Sequence, residues 1–168
     1  MSQTLNRRHQ TITGKVVQGH RVASGLNGDA RFPGGTLRMQ VPYFQTRGLK
    51  TAHLYLGTLN VSIAPLRYHV VKPGHTFANV KWHPTEPAED FSFFDVEVLR
   101  SGEPSIRGYI YYPHPETKPE HFQKPDVIEL WLPLIPGLAY GSELKLRIPG
   151  AQMTFEPMTT SMKGVASH

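Results

Sequence analysis

Two oxygen-bearing side chains stand two residues apart in the segment Gly57–Asn60, where a β-rich run begins. Residues i and i+2 of an extended chain point to the same side, so Thr58 and Asn60 would present a hydroxyl and an amide oxygen together. Such neutral oxygens suit a Mg²⁺ ion that is already bound to nucleotide phosphates. The alternative is a polar strand face exposed to water, and the segment alone does not separate the two.

A single carboxylate, Glu129, interrupts the apolar run Val127–Leu132. A carboxylate in that position lies at a strand edge, is hydrogen-bonded, or is functional. In a cleft it would serve as a general base, which makes Glu129 the candidate catalytic residue. A structural or exposed glutamate is the competing interpretation.

A glycine-rich segment, Ser24–Gly35, is the candidate phosphate-binding loop. Glycines let backbone N–H groups approach phosphate oxygens closely, and Arg31 would add charge-assisted hydrogen bonds. No Gly-Lys-Ser/Thr follows, so the segment is not a P-loop. A hairpin connection explains these glycines equally well. The nucleotide-binding prediction covers Gly25, Leu26, Asn27, Gly28 and Arg31.

The segment Tyr111–Phe122 combines aromatic, imidazole and proline residues. It is typical of a rigid loop that covers a planar ligand, and we assign contacts with the acceptor substrate to His114, Thr117 and His121. The spacing of the two histidines matches no zinc pattern. A histidine-rich surface loop is the plainer interpretation.

Short strands must position these residues, because no long stretch keeps an apolar period of 3.6 residues. Alternation such as Leu144, Leu146 and Ile148 against Glu143, Lys145 and Arg147 indicates strands with one buried face. A short helix is predicted near Pro42–Leu49 and a helical turn near Pro119–Gln123. The predicted strands are Thr11–Gln18, Leu37–Val41, Leu59–Ala64, Tyr68–Val71, Phe93–Leu99, Ile106–Tyr112, Val127–Leu132 and Glu143–Ile148.

Composition limits the function classes. The 168 residues carry a formal charge of +5 and contain no cysteine, which excludes disulfides and thiolate chemistry. The basic residues are scattered, so nucleic acid is an unlikely partner on this ground. No stretch approaches the roughly 20 apolar residues of a spanning helix, and the first ten residues lack a secretory core. We therefore expect a soluble cytoplasmic protein without a membrane partner.

Several motifs taken in order resemble those of the archaeal CTP-dependent riboflavin kinases. Each motif alone is weak, but the ordered set is fairly specific and covers roughly residues 12 to 149. The motifs are GKVVQG (Gly14–Gly19), SGLNG (Ser24–Gly28), GTLN (Gly57–Asn60), DFSFFDV (Asp90–Val96), GYIYYP (Gly108–Pro113), VIELWLP (Val127–Pro133) and GSE (Gly141–Glu143).

The resemblance implies a mostly β fold, a small six-stranded cradle-loop barrel with one or two short helices. It implies transfer of the CTP γ-phosphate to the ribityl 5′-hydroxyl of riboflavin, giving FMN, with Mg²⁺ as cofactor. Thr58 and Asn60 would hold the Mg²⁺ ion and Glu129 would lie near the acceptor hydroxyl. The partners are then a CTP-like nucleotide and a riboflavin-like small molecule.

Two departures from the family pattern support an alternative. The family's acidic glycine loop is Gly25–Asp29 here, and the aspartate of its last hairpin is Ser142. These changes favour, as the alternative, a non-catalytic barrel that binds a nucleotide, a flavin or another small anion.

From these patterns we predict three parts: an N-terminal extension (1–11), a β-barrel domain (12–149) and a flexible C-terminal tail (150–168). We further expect Thr58 and Asn60 to have no obligatory protein partner, since their oxygens would be reserved for a metal–phosphate complex.

Overall fold

The computed structural model describes residues 8–18, 35–117 and 124–159. These residues form nine strands, one α-helix and one short 3-10 helix (Pro115–Thr117). The helix α1 is Thr36–Thr46. The strands are β1 (His9–Val17), β2 (Leu59–Ser62), β3 (Leu66–Val70), β4 (His75–Val80), β5 (Glu89–Arg100), β6 (Glu103–Pro113), β7 (Val127–Trp131), β8 (Glu143–Pro149) and β9 (Met153–Pro157).

Six strands form a closed ring within one sheet, in the order β5-β6-β7-β2-β1-β8 and back to β5. All pairings in the ring are antiparallel. The ring closes because β5 is twelve residues long: its C-terminal half pairs with β8, and its N-terminal half pairs with the additional strand β4. The prediction of a mostly β fold is confirmed, and six of the strands form a ring within one sheet.

Alternating side chains from the ring strands fill an inner core. Val61, Ile128, Leu130 and Leu146 are among its fully or almost fully buried members. The separate ribbon β3–β9 adds Tyr68, Met153 and Phe155 to this core. Burial of these side chains drives the alternation that the sequence showed in β5 and β8.

Helix α1 covers the outer face of β5, β6 and β7 and creates a second, outer core. Leu37 and Phe44 are both fully buried there. The ring of Phe44 contacts Phe91, Phe93 and Trp131 at centroid distances of 5.0 to 6.1 Å. This cover explains why β5 buries four successive residues, since both of its faces are packed in that region.

The helix begins earlier than predicted, and Pro42 lies inside it. The prediction of a strand over Leu37–Val41 is wrong, because that segment belongs to the helix. The buried positions are Thr36, Leu37, Gln40 and Phe44, and two of these four are polar. The sequence of the helix therefore shows no regular apolar period of 3.6 residues. The helical turn predicted near Pro119–Gln123 lies outside the described residues.

Both predicted domain boundaries need correction. Strand β1 starts at His9, which pairs with Pro149, so the predicted extension supplies the first residues of the sheet. The predicted tail begins with β9, whose Met153 is fully buried. Pairing with β3 orders this segment through backbone hydrogen bonds that its sequence does not reveal. Within the described residues, no helix has the length and apolar character needed to cross a membrane.

Candidate functional site

The two predicted metal ligands lie on the outer face of the ring, at one end of β2. Val61 is buried in the inner core, and Leu59 packs against this core. Because side chains alternate along a strand, Thr58 and Asn60 point to the outer face. This agrees with the shared strand face expected from the sequence. Both side chains are partly exposed, as a ligand-binding position requires.

Glu129 stands directly opposite Asn60 in the antiparallel pair β2–β7. The Thr58 hydroxyl donates a 2.7 Å hydrogen bond to Oε2 of Glu129. Three residues that were singled out separately in the sequence therefore form one cluster, although 71 positions separate Thr58 from Glu129. Glu129 is only 9% exposed, so its carboxylate is held in a largely desolvated position.

The expectation that Thr58 and Asn60 would have no protein partner is wrong for Thr58, because its hydroxyl is bonded to Glu129. Asn60 also has an interaction within the chain. A carboxylate next to a threonine hydroxyl in a partly buried position accepts a hydrogen bond from it, and this bond satisfies both groups. The bond fixes the rotamer of Thr58 and leaves the lone pairs of Oγ1 for a further partner.

Tyr111 extends this cluster toward helix α1. It is the residue opposite Glu129 in the pair β6–β7, and its hydroxyl donates a 2.6 Å hydrogen bond to Oε1 of Gln40. Burial raises the pKa of the Tyr111 hydroxyl well above 10, and the negative charge of Glu129 raises it further. Tyr111 therefore stays neutral and ties the start of α1 to the strand that carries Glu129.

The predicted nucleotide-binding residues Gly25, Leu26, Asn27, Gly28 and Arg31 lie outside the described residues. The described residues on either side of them lead to the same cluster. Val17 at the end of β1 is opposite Asn60. Thr36 at the start of α1 lies close enough to Tyr111 to influence its hydroxyl. Val17 and Thr36 therefore both lie beside the cluster.

The predicted acceptor contacts are not brought to this cluster. His114 follows β6, and its Nε2 lies 2.7 Å from the hydroxyl of Ser92, a residue buried on the inner face. Thr117 closes the same turn: its hydroxyl donates to the carbonyl of His114 and accepts from the N–H of Asp90. Both side chains are engaged in holding the loop after β6. His121 lies outside the described residues.

A rim of exposed apolar side chains flanks the cluster, and sequence reasoning did not identify it. Tyr55 and Leu56 immediately precede Gly57, while Leu134 and Tyr140 belong to the loop that follows β7. The indole N–H of Trp131 donates a 2.7 Å bond to the carbonyl of Tyr55, which fastens the first loop to the end of β7. No pattern in the sequence links these two loops, because the link depends on which strands pair.

The donor set of the cluster fits a magnesium–phosphate complex. It consists of a hydroxyl, an amide and a carboxylate, which are oxygen ligands of the kind that Mg²⁺ prefers. Within residues 8–18, 35–117 and 124–159, no group of three or more histidines, aspartates or glutamates could hold a metal by itself.

A second polar site lies elsewhere on the outer face, around a cavity of about 290 Å³. Glu97 accepts bonds of 2.7 and 2.6 Å from the guanidinium of Arg147, and a further bond from Ser105. The hydrogen bond from Arg147 is the largest influence that lowers the pKa of Glu97. The carboxylate of Asp95 accepts from Gln152. These groups satisfy one another, so we assign this cavity a structural role.

No protein-family model matches the chain, and no curated protein matches it. The functional interpretation therefore rests on the Thr58–Glu129 cluster and on the motifs that led to it.

Proposed function

We propose that this protein is a riboflavin kinase-like phosphotransferase on a six-stranded cradle-loop barrel. It moves the γ-phosphate of CTP to the hydroxyl of riboflavin or a related small molecule. The observation that carries the proposal is the 2.7 Å hydrogen bond between Thr58 and Glu129, with Asn60 opposite Glu129 in the strand pair. This arrangement brings Thr58 and Asn60, the residues assigned to the metal, next to Glu129, the residue assigned to the acceptor hydroxyl.

The reaction is an in-line displacement at the γ-phosphorus. The acceptor hydroxyl oxygen forms the new P–O bond, and the bond from the γ-phosphorus to the β,γ-bridging oxygen breaks. CDP leaves with that electron pair, and the proton of the acceptor hydroxyl passes to the carboxylate of Glu129. Such a transfer needs positioning and charge neutralisation rather than covalent catalysis, so no Walker motif is required.

Mg²⁺ bound with the nucleotide would neutralise phosphate charge at this site. Thr58 and Asn60 would hold it through neutral oxygens, which keeps the affinity for the free ion low. Glu129 orients Thr58, because the hydrogen bond it accepts from the hydroxyl directs the Oγ1 lone pairs away from the carboxylate. A single carboxylate then serves the metal side and the acceptor side of the reaction.

The apolar rim supports a planar acceptor. Tyr55 and Leu56 precede Gly57, Leu134 and Tyr140 belong to the loop after β7, and all four expose apolar surface. Flat heteroaromatic rings bind well between such side chains. This arrangement favours a flavin-like acceptor.

The direct experiment is an incubation of the purified protein with Mg²⁺, riboflavin and each of the four nucleoside triphosphates. FMN is then measured by chromatography with fluorescence detection. We expect FMN with CTP and little with the purine nucleotides. Absence of FMN with all four nucleotides at high enzyme concentration would refute the kinase assignment.

The alternative is a module that binds a nucleotide or flavin without turnover. The specific observation in its favour is that Ser142, at the position of the family's aspartate, uses its hydroxyl to accept the N–H of Ala139 and so closes its own turn. A thermal-shift screen separates the two functions, because any ligand that binds only the native state raises its melting temperature. Stabilisation by CTP or FMN without product would favour the binding module.

A further inference from the structure

Four side chains from β4, β5 and the turn after β6 form a continuous chain of hydrogen bonds. Thr76 stands opposite Ser92 in the antiparallel pair β4–β5, and their hydroxyl oxygens are 2.9 Å apart. The Ser92 hydroxyl lies 2.7 Å from Nε2 of His114, and Nδ1 of His114 lies 3.2 Å from Oε2 of Glu116. The chain therefore runs from a threonine hydroxyl to a carboxylate through one serine and one imidazole.

The direction of every bond in this chain follows from the carboxylate. An ionised carboxylate can only accept, so Nδ1 of His114 carries a proton and donates a hydrogen bond to Glu116. In the neutral imidazole, Nε2 then has no proton, and the Ser92 hydroxyl donates to it. Because Ser92 uses its proton in this way, its oxygen accepts a hydrogen bond from Thr76. All the bonds up to Nε2 therefore point from Thr76 toward His114, which is the direction in which a nucleophilic hydroxyl loses its proton to a base.

The two hydroxyls differ in their access to solvent. Ser92 is 1% exposed, so a substrate does not reach its oxygen directly. Thr76 is an exposed residue of β4, and among the described strands β4 pairs with β5 alone, so it forms an edge of the sheet. A substrate can therefore approach Thr76 from solvent, while Ser92 is placed to pass a proton from Thr76 to His114.

Two tyrosine rings stand beside this hydrogen-bonded chain. Tyr112 is opposite Ser92 in the pair β5–β6, and its ring contacts the imidazole of His114 at a centroid distance of 5.5 Å. Tyr68 packs edge-on against Tyr112 at 6.2 Å. Both tyrosines are only partly buried, so their rings offer apolar surface to a substrate beside the chain of hydroxyls.

We propose that Thr76 is the nucleophile of a second activity, the hydrolysis of carboxylic esters that carry an apolar acyl group. Oγ1 of Thr76 forms a bond to the ester carbonyl carbon, and its proton passes through Ser92 to Nε2 of His114. The bond from the carbonyl carbon to the alcohol oxygen breaks, and His114 returns the proton through Ser92 to the departing alkoxide. Glu116 stabilises the imidazolium that forms in between.

Water completes the reaction by hydrolysing the acyl-threonine. Its oxygen forms the new bond to the carbonyl carbon while its proton passes through Ser92 to His114. The bond from that carbon to Oγ1 of Thr76 breaks, Thr76 recovers the proton along the same chain, and the carboxylic acid leaves. This activity does not depend on the proposed phosphotransferase reaction, because it uses none of the residues of the Thr58–Glu129 cluster.

The first test is covalent labelling of the full chain with diisopropyl fluorophosphate, followed by tandem mass spectrometry of its peptides. An activated hydroxyl displaces the fluoride and retains the phosphoryl group, which marks the nucleophile. We expect the label on Thr76. A label on Ser92 or on any other residue instead, or no label at a high reagent concentration, would overturn the proposal.

The second test follows the hydrolysis of p-nitrophenyl butyrate by the release of nitrophenolate. Thr76→Val and Ser92→Ala should each lower kcat/KM by roughly tenfold or more, because a positioned proton acceptor contributes about 10²–10⁴-fold. Thr76→Ser keeps the hydroxyl and should retain activity. The matched control is Thr13→Val, at an exposed threonine of β1, which should leave the rate within about twofold. Equal rates in Thr76→Val and Thr13→Val would refute the assigned nucleophile.

Rescue by imidazole separates a proton acceptor from a histidine that only holds its loop. His114→Ala should lose roughly tenfold or more of the activity. Added imidazole should restore part of it, because the His114 side chain is 20% exposed and the space that it leaves opens to solvent. Circular dichroism melting checks that each variant is folded. A folded His114→Ala variant that keeps its activity, or that imidazole does not stimulate more than the unsubstituted protein, would contradict the proton transfer through Ser92.

Discussion

The hydroxyl of Thr58 donates a 2.7 Å hydrogen bond to Oε2 of Glu129 across the strand pair β2–β7. The bond joins a residue just before one strand to the middle of another, and Glu129 is nearly buried while Thr58 remains accessible. A ligand that reaches Thr58 therefore changes the surroundings of Glu129 directly. If the nucleotide binds as proposed, this hydrogen bond would couple its binding to the proposed general base.

The first prediction concerns that coupling. Thr58→Val and Glu129→Gln should each lower the affinity for the magnesium–CTP complex. In a double-mutant cycle their effects should be non-additive, with a coupling of roughly 1–3 kcal/mol, as for a hydrogen bond to a charged group. Calorimetric titration of the four proteins measures it. Strict additivity would mean that the bond plays no part in nucleotide binding.

The second prediction separates ligand binding from structure at Asn60. Asn60→Ala should reduce Mg²⁺-dependent CTP affinity by at least roughly tenfold, because one oxygen ligand is removed. Ser62→Ala is the matched control, since Ser62 lies two residues further along the same face of β2 and should leave the affinity unchanged. If Asn60→Ala lowers the melting temperature while CTP affinity stays the same, the assigned metal site is wrong.

The third prediction concerns the strand that carries Glu129. A Cβ at Gly108 would lie 2.4 Å from the carbonyl oxygen of Trp131 and 2.7 Å from Cδ2 of Leu132. Gly108→Ala should therefore push β7 away from β6 and destabilise the fold by roughly 1–3 kcal/mol. Gly74→Ala is the control, because its Cβ would meet Nε2 of Gln152 at 3.3 Å and the carbonyl oxygen of Phe93 at 3.4 Å, which are much longer contacts than those at Gly108. Urea unfolding of both variants checks this, and similar stabilities would contradict the packing described.

The fourth prediction is a pH dependence of stability at Glu97. The Arg147 hydrogen bond lowers the pKa of Glu97 below its usual 4.5, so the folded state favours the ionised carboxylate. The stabilisation is fully present above about pH 4.5 and is lost as the pH falls through the lowered folded-state value. Glu97→Gln should cost roughly 1 kcal/mol at pH 7 and progressively less toward pH 3. A cost that is the same at both pH values would contradict the assigned ion pair.

Strand alternation predicted much of the architecture and one part of the site. It predicted that Thr58 and Asn60 share one side of the strand, because side chains two residues apart in a strand point the same way. It did not predict which strands pair. The contact between Thr58 and Glu129 depends on the neighbouring positions of β2 and β7 in the ring, and no local pattern encodes that order.

Other elements escaped prediction for identifiable reasons. Helix α1 buries Thr36 and Gln40, whose polar side chains broke the apolar period, so part of it looked like a strand. Strand β9 pairs only with β3, and its two inward side chains, Met153 and Phe155, are too few to give a clear alternation.

The most direct test of the central account is paramagnetic broadening by Mn²⁺–CTP, with Mn²⁺ replacing Mg²⁺, in the ¹H–¹⁵N spectrum of the full chain. Broadening falls off steeply with distance from the metal, so it locates the bound complex without requiring turnover. We predict that the amide signals of residues 58–60 and 128–130 broaden first, and that Asn60→Ala removes the effect. Broadening that instead centres on the cavity at Glu97 and Arg147, or that is unchanged in Asn60→Ala, would contradict the assignment of the metal–nucleotide site to Thr58, Asn60 and Glu129.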